Sequence, residues 1–242
     1  MSYGLKVLIA GDYACFTNPA LKIERVSFDV PPPGALEGLL KSVYWKPSIR
    51  YEIDEIVVFH PINFANIRRN EVKEKVTFSE VKKQMQHKGG DPCIYTSEAR
   101  TQRASMVLKD VLYGVSFHFE LTGLKNERET DAEKKHYNIL KRRLEQGQCF
   151  RTPCLGCSEF PVKSITLVDQ FDYAAISPEI LAMGDVDLGY MSYKVCFQDK
   201  GIPTNGDWDN PVYSDKATTM YYRPHMANGV IDVKKYREMM KC

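Results

Sequence analysis

One predicted helix carries side chains that could transfer protons near neutral pH. His136 directly follows Lys134 and Lys135 and precedes Tyr137. An imidazole titrates near neutral pH, and neighbouring ammonium groups favour the neutral form that a general base needs. The same residues also fit a basic, solvent-exposed helix face, and composition alone favours that plainer interpretation.

The run Tyr44-Trp45-Lys46-Pro47 is a second candidate site, because it places a phenol, an indole and an ammonium group side by side. Aromatic rings combined with cations form stacking and phosphate-binding surfaces for single-stranded RNA. Trp45 could equally fill a hydrophobic core. The spacing of these residues does not decide between the two interpretations.

Two cysteines, Cys154 and Cys157, have the spacing of a metal knuckle. A structural zinc ion needs four ligands, and the sequence has neither a second C-x-x-C pair nor paired histidines. We therefore expect ordinary thiols here and no metal, and a zinc-binding module stays a minor alternative. The common sequence signatures of phosphate loops, dinucleotide-binding turns, zinc proteases and α/β-hydrolases are also missing from the sequence.

The composition is that of an ordinary globular protein. Lys and Arg number 33 against 31 Asp and Glu, and 43% of the residues are hydrophobic, which excludes a polybasic tail or a disordered acidic chain. Seven cysteines, scattered over the whole chain, favour reduced thiols and a cytoplasmic location. The longest clean apolar run, residues 56–59, is far shorter than the roughly 20 residues of a membrane-spanning helix, so we expect no membrane partner.

Hydrophobic periodicity predicts the elements that must position these side chains. Alternation predicts a strand over residues 4–11, and helical spacing predicts a helix that begins within residues 31–34 and ends by Lys46, because Pro47 follows. A second strand over 49–59 completes a β-α-β opening, and the strictest alternation in the chain predicts another strand within 107–122. Thr130-Asp131-Ala132-Glu133 matches a capping box, which predicts a helix from there to about Gln146. Further strands are predicted at 164–168, 190–197 and 229–233.

Positive charge concentrates between residues 66 and 109. Gly89-Gly90-Asp91-Pro92 interrupts this segment, so we predict an excursion from a sheet rather than a continuous core element. The cations in this stretch are Arg68, Arg69, Lys73, Lys75, Lys82, Lys83, Lys88, Arg100, Arg103 and Lys109.

Several segments, taken in order, resemble one known family. They are Gly11–Thr17, Ser42–Pro47, Ile67–Val72, Lys135–Tyr137, Leu155–Cys157 and Asn228–Val233, together with Arg223. Over nearly its whole length the chain resembles the CRISPR-associated Cas-five proteins of subtype d, the precursor-CRISPR-RNA endoribonucleases of type I-C systems.

The resemblance implies an α+β fold of the RAMP type. Residues 1–147 would form a ferredoxin-like domain, similar to an RNA-recognition motif, with a β-hairpin thumb inserted around residues 66–109. Residues 148–242 would form a small β-rich domain. The β-α-β opening, the basic excursion and the later helix are compatible with this fold.

The resemblance also implies an activity and its residues. The family's catalytic tyrosine, lysine and histidine fall on Tyr44, Lys135 and His136, and the expected reaction is a metal-independent cleavage of RNA that needs no cofactor. His136 would transfer a proton, Lys135 would stabilise developing charge, and Tyr44 would position groups or transfer a second proton. The candidates for RNA contact are Lys46, Arg68, Arg69, Arg103 and Lys134.

The expected partners are the precursor CRISPR RNA repeat hairpin, the mature guide RNA and the other subunits of the type I-C surveillance complex. DNA binding stays open. The main alternative is a scaffold subunit without catalytic activity, because relatives in other CRISPR subtypes only hold the 5′ handle of the guide RNA. The retained Tyr44, Lys135 and His136 favour the enzyme.

Overall fold

A large antiparallel β-sheet is the centre of this structure, a computed structural model that describes residues 4–87, 89, 92–122, 132–207 and 210–240. The strands of the described residues are β1 (Gly4–Ala14), β2 (Ile49–Val58), β3 (Asn63–Val72), β4 (Arg100–Leu121), β5 (Ser164–Val168), β6 (Asp185–Asp187), β7 (Met191–Phe197), β8 (Ala217–Tyr222), β9 (His225–Ala227) and β10 (Val230–Asp232). The α-helices are α1 (Pro33–Val43), α2 (Phe78–Met85), α3 (Ala132–Glu145) and α4 (Pro178–Ala182), and short 3-10 helices lie at Pro19–Leu21, Tyr173–Ala175 and Lys234–Met240.

The strand order of the large sheet is β5-β1-β4-β2-β10-β9-β6, and β3 pairs with β4 beside this path. Because β1 and β2 are both antiparallel to β4, they run parallel to each other, and α1 is the crossover between them. In the same way α3 connects β4 to β5, since both are antiparallel to β1. Strands β7 and β8 form a separate two-stranded sheet. The fold is therefore mixed, with strands from both halves of the chain in one sheet.

The predicted β-α-β opening is confirmed. Leu36, Leu40 and Val43 are buried on the inner side of α1, as their helical spacing requires. The helix ends at Val43, within the predicted limit at Lys46, because Tyr44 adopts an extended backbone with φ −150°. This turn of the backbone allows the side chain of Tyr44 to enter the core, where it is buried.

The strand predicted within 107–122 belongs to a much longer one, since β4 has 22 residues. Its first part pairs with β3, from Asn63 opposite Lys109 to Val72 opposite Arg100. The basic segment therefore forms a two-stranded extension of the sheet, with α2 in the connection. Residues 90 and 91 of the predicted break lie outside the described residues.

The second predicted helix, which is α3 in the structure, and the later strands are also observed. Helix α3 runs from Ala132 to Glu145, but Thr130 and Asp131 of the predicted capping box lie outside the described residues. Cys196 in β7 is disulfide-bonded, so the expectation of reduced thiols is wrong at this position, because the scattered spacing of cysteines does not determine which of them meet in space. No helix in the described part of the chain is long and apolar enough to cross a membrane.

A partly buried ion network ties the end of the chain to the sheet. His118 Nδ1 lies 2.8 Å from Asp54 Oδ2, and Arg237 also contacts this carboxylate. Burial alone would raise the pKa of Asp54, but the hydrogen bonds from His118 and Arg237 outweigh it and lower the pKa below its ordinary value. The ionised carboxylate is therefore the form that the fold stabilises.

We expect Asp54→Asn to lower the free energy of unfolding at pH 7 by about 1.5–3 kcal/mol, the usual range for hydrogen bonds to a charged group. A depressed folded-state pKa contributes stability above the ordinary carboxyl pKa, and this contribution is lost as the pH falls through the folded value. Urea unfolding of both proteins from pH 7 to pH 3 should show the difference shrinking at the acidic end. Asp12→Asn, which breaks only an exposed pair with Lys163, is the control and should cost less than about 1 kcal/mol.

The segment around Gly156 packs directly on the end of β1. The backbone N–H of Cys15 donates to Leu155 O at 2.9 Å, and a Cβ at position 156 would lie 2.0 Å from Cys15 O. Gly156 also has φ +87°, in the left-handed region. Only glycine satisfies both conditions at this position.

We expect Gly156→Ala to destabilise the protein by more than the roughly 1–2 kcal/mol that a positive φ alone costs an alanine. Gly189→Ala is the matched control, because Gly189 has φ +69° and no atom within 4 Å of its would-be Cβ. Thermal unfolding of both variants separates the backbone clash from the conformational cost. Equal losses in the two variants would contradict the close contact.

Candidate active site

The structure brings together Tyr44 and His136, which are 92 residues apart in the sequence. Tyr44 Oη lies 2.8 Å from His136 Nδ1, and the two ring centroids are 5.9 Å apart. Both side chains are buried, with exposed fractions of 3% for Tyr44 and 1% for His136. A phenol and an imidazole in direct contact can exchange a proton or hold each other in one orientation.

Helical spacing explains why His136 is buried while the residues before it are not. Leu140 and Leu144 lie four and eight residues further along α3, on the same face, and both are buried in the core. His136 extends this apolar stripe by one turn towards the start of the helix. Lys134 and Lys135 point elsewhere and are exposed. Lys134 and Lys135 thus lie on a basic, solvent-exposed helix face, as composition suggested. His136 does not lie on that face, so this interpretation is wrong for the histidine.

His136 has a second hydroxyl partner that the sequence analysis did not single out. Ser48 Oγ lies 3.2 Å from His136 Nε2, and Phe119 presents its ring edge-on to the imidazole, with centroids 6.3 Å apart. A neutral imidazole has one donor and one acceptor nitrogen, while each hydroxyl can play either role. A neutral His136 ring can therefore hydrogen-bond both hydroxyls at once.

Tyr44 is held in place from two further sides. Tyr51 Oη donates to the backbone oxygen of Tyr44 at 2.6 Å, and burial raises the pKa of Tyr51, so that its hydroxyl stays a donor. Arg143 lies with its guanidinium carbon 5.2 Å from the centroid of the Tyr44 ring and donates to Val43 O at 2.7 Å. A cation at this position interacts with both the ring face and the carbonyl end of α1. In the sequence, Arg143 is only one of several cations in a predicted basic helix, and no motif indicates a contact with Tyr44.

The remaining residues of the Tyr44 run face outwards. Trp45 is 53% exposed, and Lys46 is exposed as well. The alternative in which Trp45 fills the core is therefore wrong, since Tyr44 occupies the core instead. Trp45 and Lys46 directly follow Tyr44 in the sequence, and Lys134 and Lys135 directly precede His136. An aromatic ring and three cations therefore flank the two buried residues along the chain.

The arginines of the hairpin fall on two different faces. Arg68 is exposed, whereas Arg69 and Arg103 are directly paired across β3 and β4 and share the opposite face, as the two-residue period of a strand requires. Arg69 contacts Glu159 at 2.7 Å and Glu71 at 3.1 Å, and Arg103 contacts Glu71 at 3.6 Å. The structure thus brings Arg69 and Arg103 into one ion-pair network and separates Arg68 from it.

The fold brings Cys157 next to Cys15, which directly follows β1. Among the residues that the structure describes, no group of three or more His, Cys, Asp or Glu side chains is placed to hold a metal ion. Cys157 Sγ instead lies 3.6 Å from Cys15 O and 3.7 Å from Thr17 Oγ1. The hydrogen bond from Cys15, helped by Thr17 and Arg25, lowers the pKa of Cys157 below its ordinary value. The Cys157 sulfur is thus hydrogen-bonded between the end of β1 and its neighbouring loop.

Comparison with known proteins identifies relatives over nearly the whole chain. The chain is 37% identical over 237 residues to a protein of Mannheimia succiniciproducens named CRISPR pre-crRNA endoribonuclease Cas5d, covering 98% of this chain and 97% of that protein. A protein of the same name from Thermus thermophilus is 33% identical over 246 residues, covering 98% and 95% of the two chains.

Solved structures share the fold at lower identity. A crystal structure of a CRISPR-associated protein has a TM-score of 0.60 and 22% identity, covering 96% of this chain and 91% of that one. A Streptococcus mutans protein described as functionally uncharacterized has a TM-score of 0.60 and 24% identity, with 95% and 91% covered. The sequence profile Cas_Cas5d, described as "CRISPR-associated protein (Cas_Cas5)", matches residues 4–234. With a profile match of this extent and two full-length relatives, the chain belongs to the Cas5d family of CRISPR-associated proteins.

Proposed function

We propose that this protein is an endoribonuclease that cleaves precursor CRISPR RNA in the repeat, next to its hairpin, and then remains bound to the guide RNA. The observation that carries the proposal is the hydrogen bond between Tyr44 and His136, two residues of the expected catalytic set that the fold brings to 2.8 Å. The names of the relatives from Mannheimia succiniciproducens and Thermus thermophilus support the same activity.

The proposed reaction uses the ribose 2′-hydroxyl as an internal nucleophile. The protein must hold this hydroxyl in line with the scissile phosphate, remove its proton and stabilise the charge on the phosphorane. His136 transfers the proton, Lys135 stabilises the developing charge, and Tyr44 orients His136 or transfers a second proton. The products are a 2′,3′-cyclic phosphate and a 5′-hydroxyl, with no metal or cofactor in the proposed mechanism.

We also propose that the large sheet is built on a ferredoxin-like fold of the RAMP type. The order β5-β1-β4-β2, with α1 and α3 as crossovers, supports a ferredoxin-like domain of the RAMP type. Because its outer strand β5 lies at Ser164–Val168, we propose that this domain extends past the expected boundary at residue 147. Strands β3 and β4 would provide its thumb, and the rest of residues 148–242 would add the small β-rich part. An RNA stem offers its shape and phosphates to such a surface, and the adjoining single strand offers its bases.

The proposed RNA surface combines exposed and paired cations. Lys46, Lys134 and Arg68 are exposed. Arg69 and Arg103 each form an ion pair with Glu71, so we propose that these two contribute less to RNA binding. The partners in this proposal are the repeat hairpin, the mature guide RNA and other subunits of a type I-C surveillance complex in the cytoplasm.

A scaffold subunit that holds the 5′ handle of the guide RNA is the second candidate function. The burial of His136 favours it, because a histidine that is 1% exposed and hydrogen-bonded at both nitrogens also fits a purely structural role. The enzyme remains the preferred proposal, since both full-length relatives are named as endoribonucleases.

Cleavage of the cognate repeat RNA in excess EDTA tests the proposed chemistry. We expect the all-ribose RNA to be cut and a copy with a single 2′-deoxy sugar at the cleavage site to stay intact, because that sugar lacks the nucleophile. Denaturing gels and phosphatase sensitivity of the product ends are the measurements. If both RNAs bind and neither is cut, the scaffold is the correct alternative.

Replacing Arg68 tests the proposed RNA surface. We expect Arg68→Ala to weaken RNA binding and to reduce the slope of log K against log salt by about 1, as the loss of one phosphate contact requires, without moving the cleavage position. The measurement is fluorescence anisotropy at several salt concentrations.

Arg69→Ala provides the comparison. Since Arg69 is held by Glu71 and Glu159, we expect its loss to change the salt slope less and to lower the free energy of unfolding by roughly 1–2 kcal/mol. An unchanged salt slope in Arg68→Ala would show that this face of the hairpin does not contact the RNA.

A further inference from the structure

Solvent reaches the two hydroxyl partners of His136 unequally. Tyr44 is 3% exposed and lies in the core with the imidazole, whereas Ser48 is half-buried and borders the surface. His136 itself is 1% exposed. Of the two hydroxyls that bond its ring in the described part of the chain, Ser48 is therefore the one that a bound RNA can meet.

The position of Ser48 is set by backbone contacts rather than by its hydroxyl. The N–H of Thr122 donates to Ser48 O at 2.9 Å, and Thr122 Oγ1 donates to Pro47 O at 2.8 Å. The N–H of Ile49 closes the turn by donating to Lys46 O at 3.2 Å. The hydroxyl of Ser48 contributes to none of these bonds, and its contact in the core is with His136 Nε2. The local fold thus presents this hydroxyl to the imidazole without depending on it.

We propose that Ser48 relays the proton between the RNA and His136 Nε2, an inference that rests on the proposed endoribonuclease function. The relay assigns to His136 the tautomer in which Nδ1–H donates to Tyr44 Oη, 2.8 Å away, and Nε2 accepts from Ser48 Oγ, 3.2 Å away. The tautomer is the one that the relay requires, since Nε2 must have a free electron pair.

The relay moves two protons in one step. The O2′–H bond of the RNA breaks, its proton passes to Ser48 Oγ, and the original hydroxyl proton of Ser48 passes to His136 Nε2. The 2′-oxygen then forms its bond to phosphorus while the bond from phosphorus to the 5′-oxygen breaks. The leaving 5′-oxygen takes a proton from solvent or from the ammonium group of Lys135. At the end Ser48 is again a neutral hydroxyl that holds the proton from the 2′-hydroxyl, and His136 Nε2 carries the proton that Ser48 held at the start.

Single-turnover cleavage at saturating protein tests the relay. We expect Ser48→Ala to bind RNA normally and to cleave about 10- to 100-fold more slowly, between the effect of one lost hydrogen bond and that of losing a general base altogether. Ser48→Thr keeps the hydroxyl and should recover most of the rate. Ser42→Ala is the matched control, because Ser42 is also half-buried near the end of α1 but donates to Leu39 O, and it should cleave at the wild-type rate.

The number of protons transferred in the rate-limiting step distinguishes a relay through Ser48 from a role in which Ser48 only positions His136. In mixtures of light and heavy water, the wild-type rate should fall along a curve that needs two transferred protons, and the rate of Ser48→Ala should fall along a straight line. The same shape in both proteins would overturn the relay. As an independent readout, the ¹⁵N spectrum of His136 should show a protonated Nδ1 and an unprotonated Nε2, and a protonated Nε2 in the neutral ring would also overturn it.

Failure of the relay and failure of the endoribonuclease are distinguishable. A wild-type protein that cleaves, an inactive His136→Ala and a fully active Ser48→Ala would remove Ser48 from the reaction and leave the proposed function intact. A wild-type protein that binds the repeat RNA without cutting it would overturn the proposed function, and the relay with it.

Discussion

The hydrogen bond between Tyr44 and His136 is the constraint around which the two crossover helices are arranged. It joins the end of α1 to the first half of α3, on one side of the large sheet, with Phe119 of β4 beside it. Buried polar groups are costly unless they are paired, so the two side chains require each other once the helices pack. The contacts that build the core are therefore the same contacts that fix the geometry of the candidate active site.

The cations of the protein are sorted by the periodicity of the elements that carry them. In α3, Lys134 and Lys135 are exposed whereas the next residue, His136, is buried. In the hairpin, the alternation of side chains places Arg68 on an exposed face and gives Arg69 to an ion-pair network on the other. A near-neutral protein can in this way present a basic surface to RNA, because the distribution of charge matters more than its sum.

The site combines a dry interior with a wet, charged border. Tyr44 and His136 are shielded, which strengthens the hydrogen bond between them, while Ser48, Trp45 and Lys135 lie towards solvent. A polyanion can approach this border without the buried pair having to open. Tyr51 and Arg143 hold this end of α1 in place, through bonds to the backbone oxygens of Tyr44 and Val43. Their role explains how a site with few charged groups keeps one orientation.

The sequence by itself determined the main elements and the family. Periodicity predicted β1, α1, β2 and α3, because each element repeats its own spacing of apolar residues, and ordered motifs pointed to Cas5d relatives. The burial of His136 could also have been predicted, since it lies four residues before Leu140. Only the tertiary structure decided that Ser48 contacts His136, that Arg143 contacts Tyr44, and that Arg69 is ion-paired while Arg68 lies on the other face. The reason is physical: these contacts join residues some 36 to 100 positions apart, and no local pattern encodes which distant side chain will meet which.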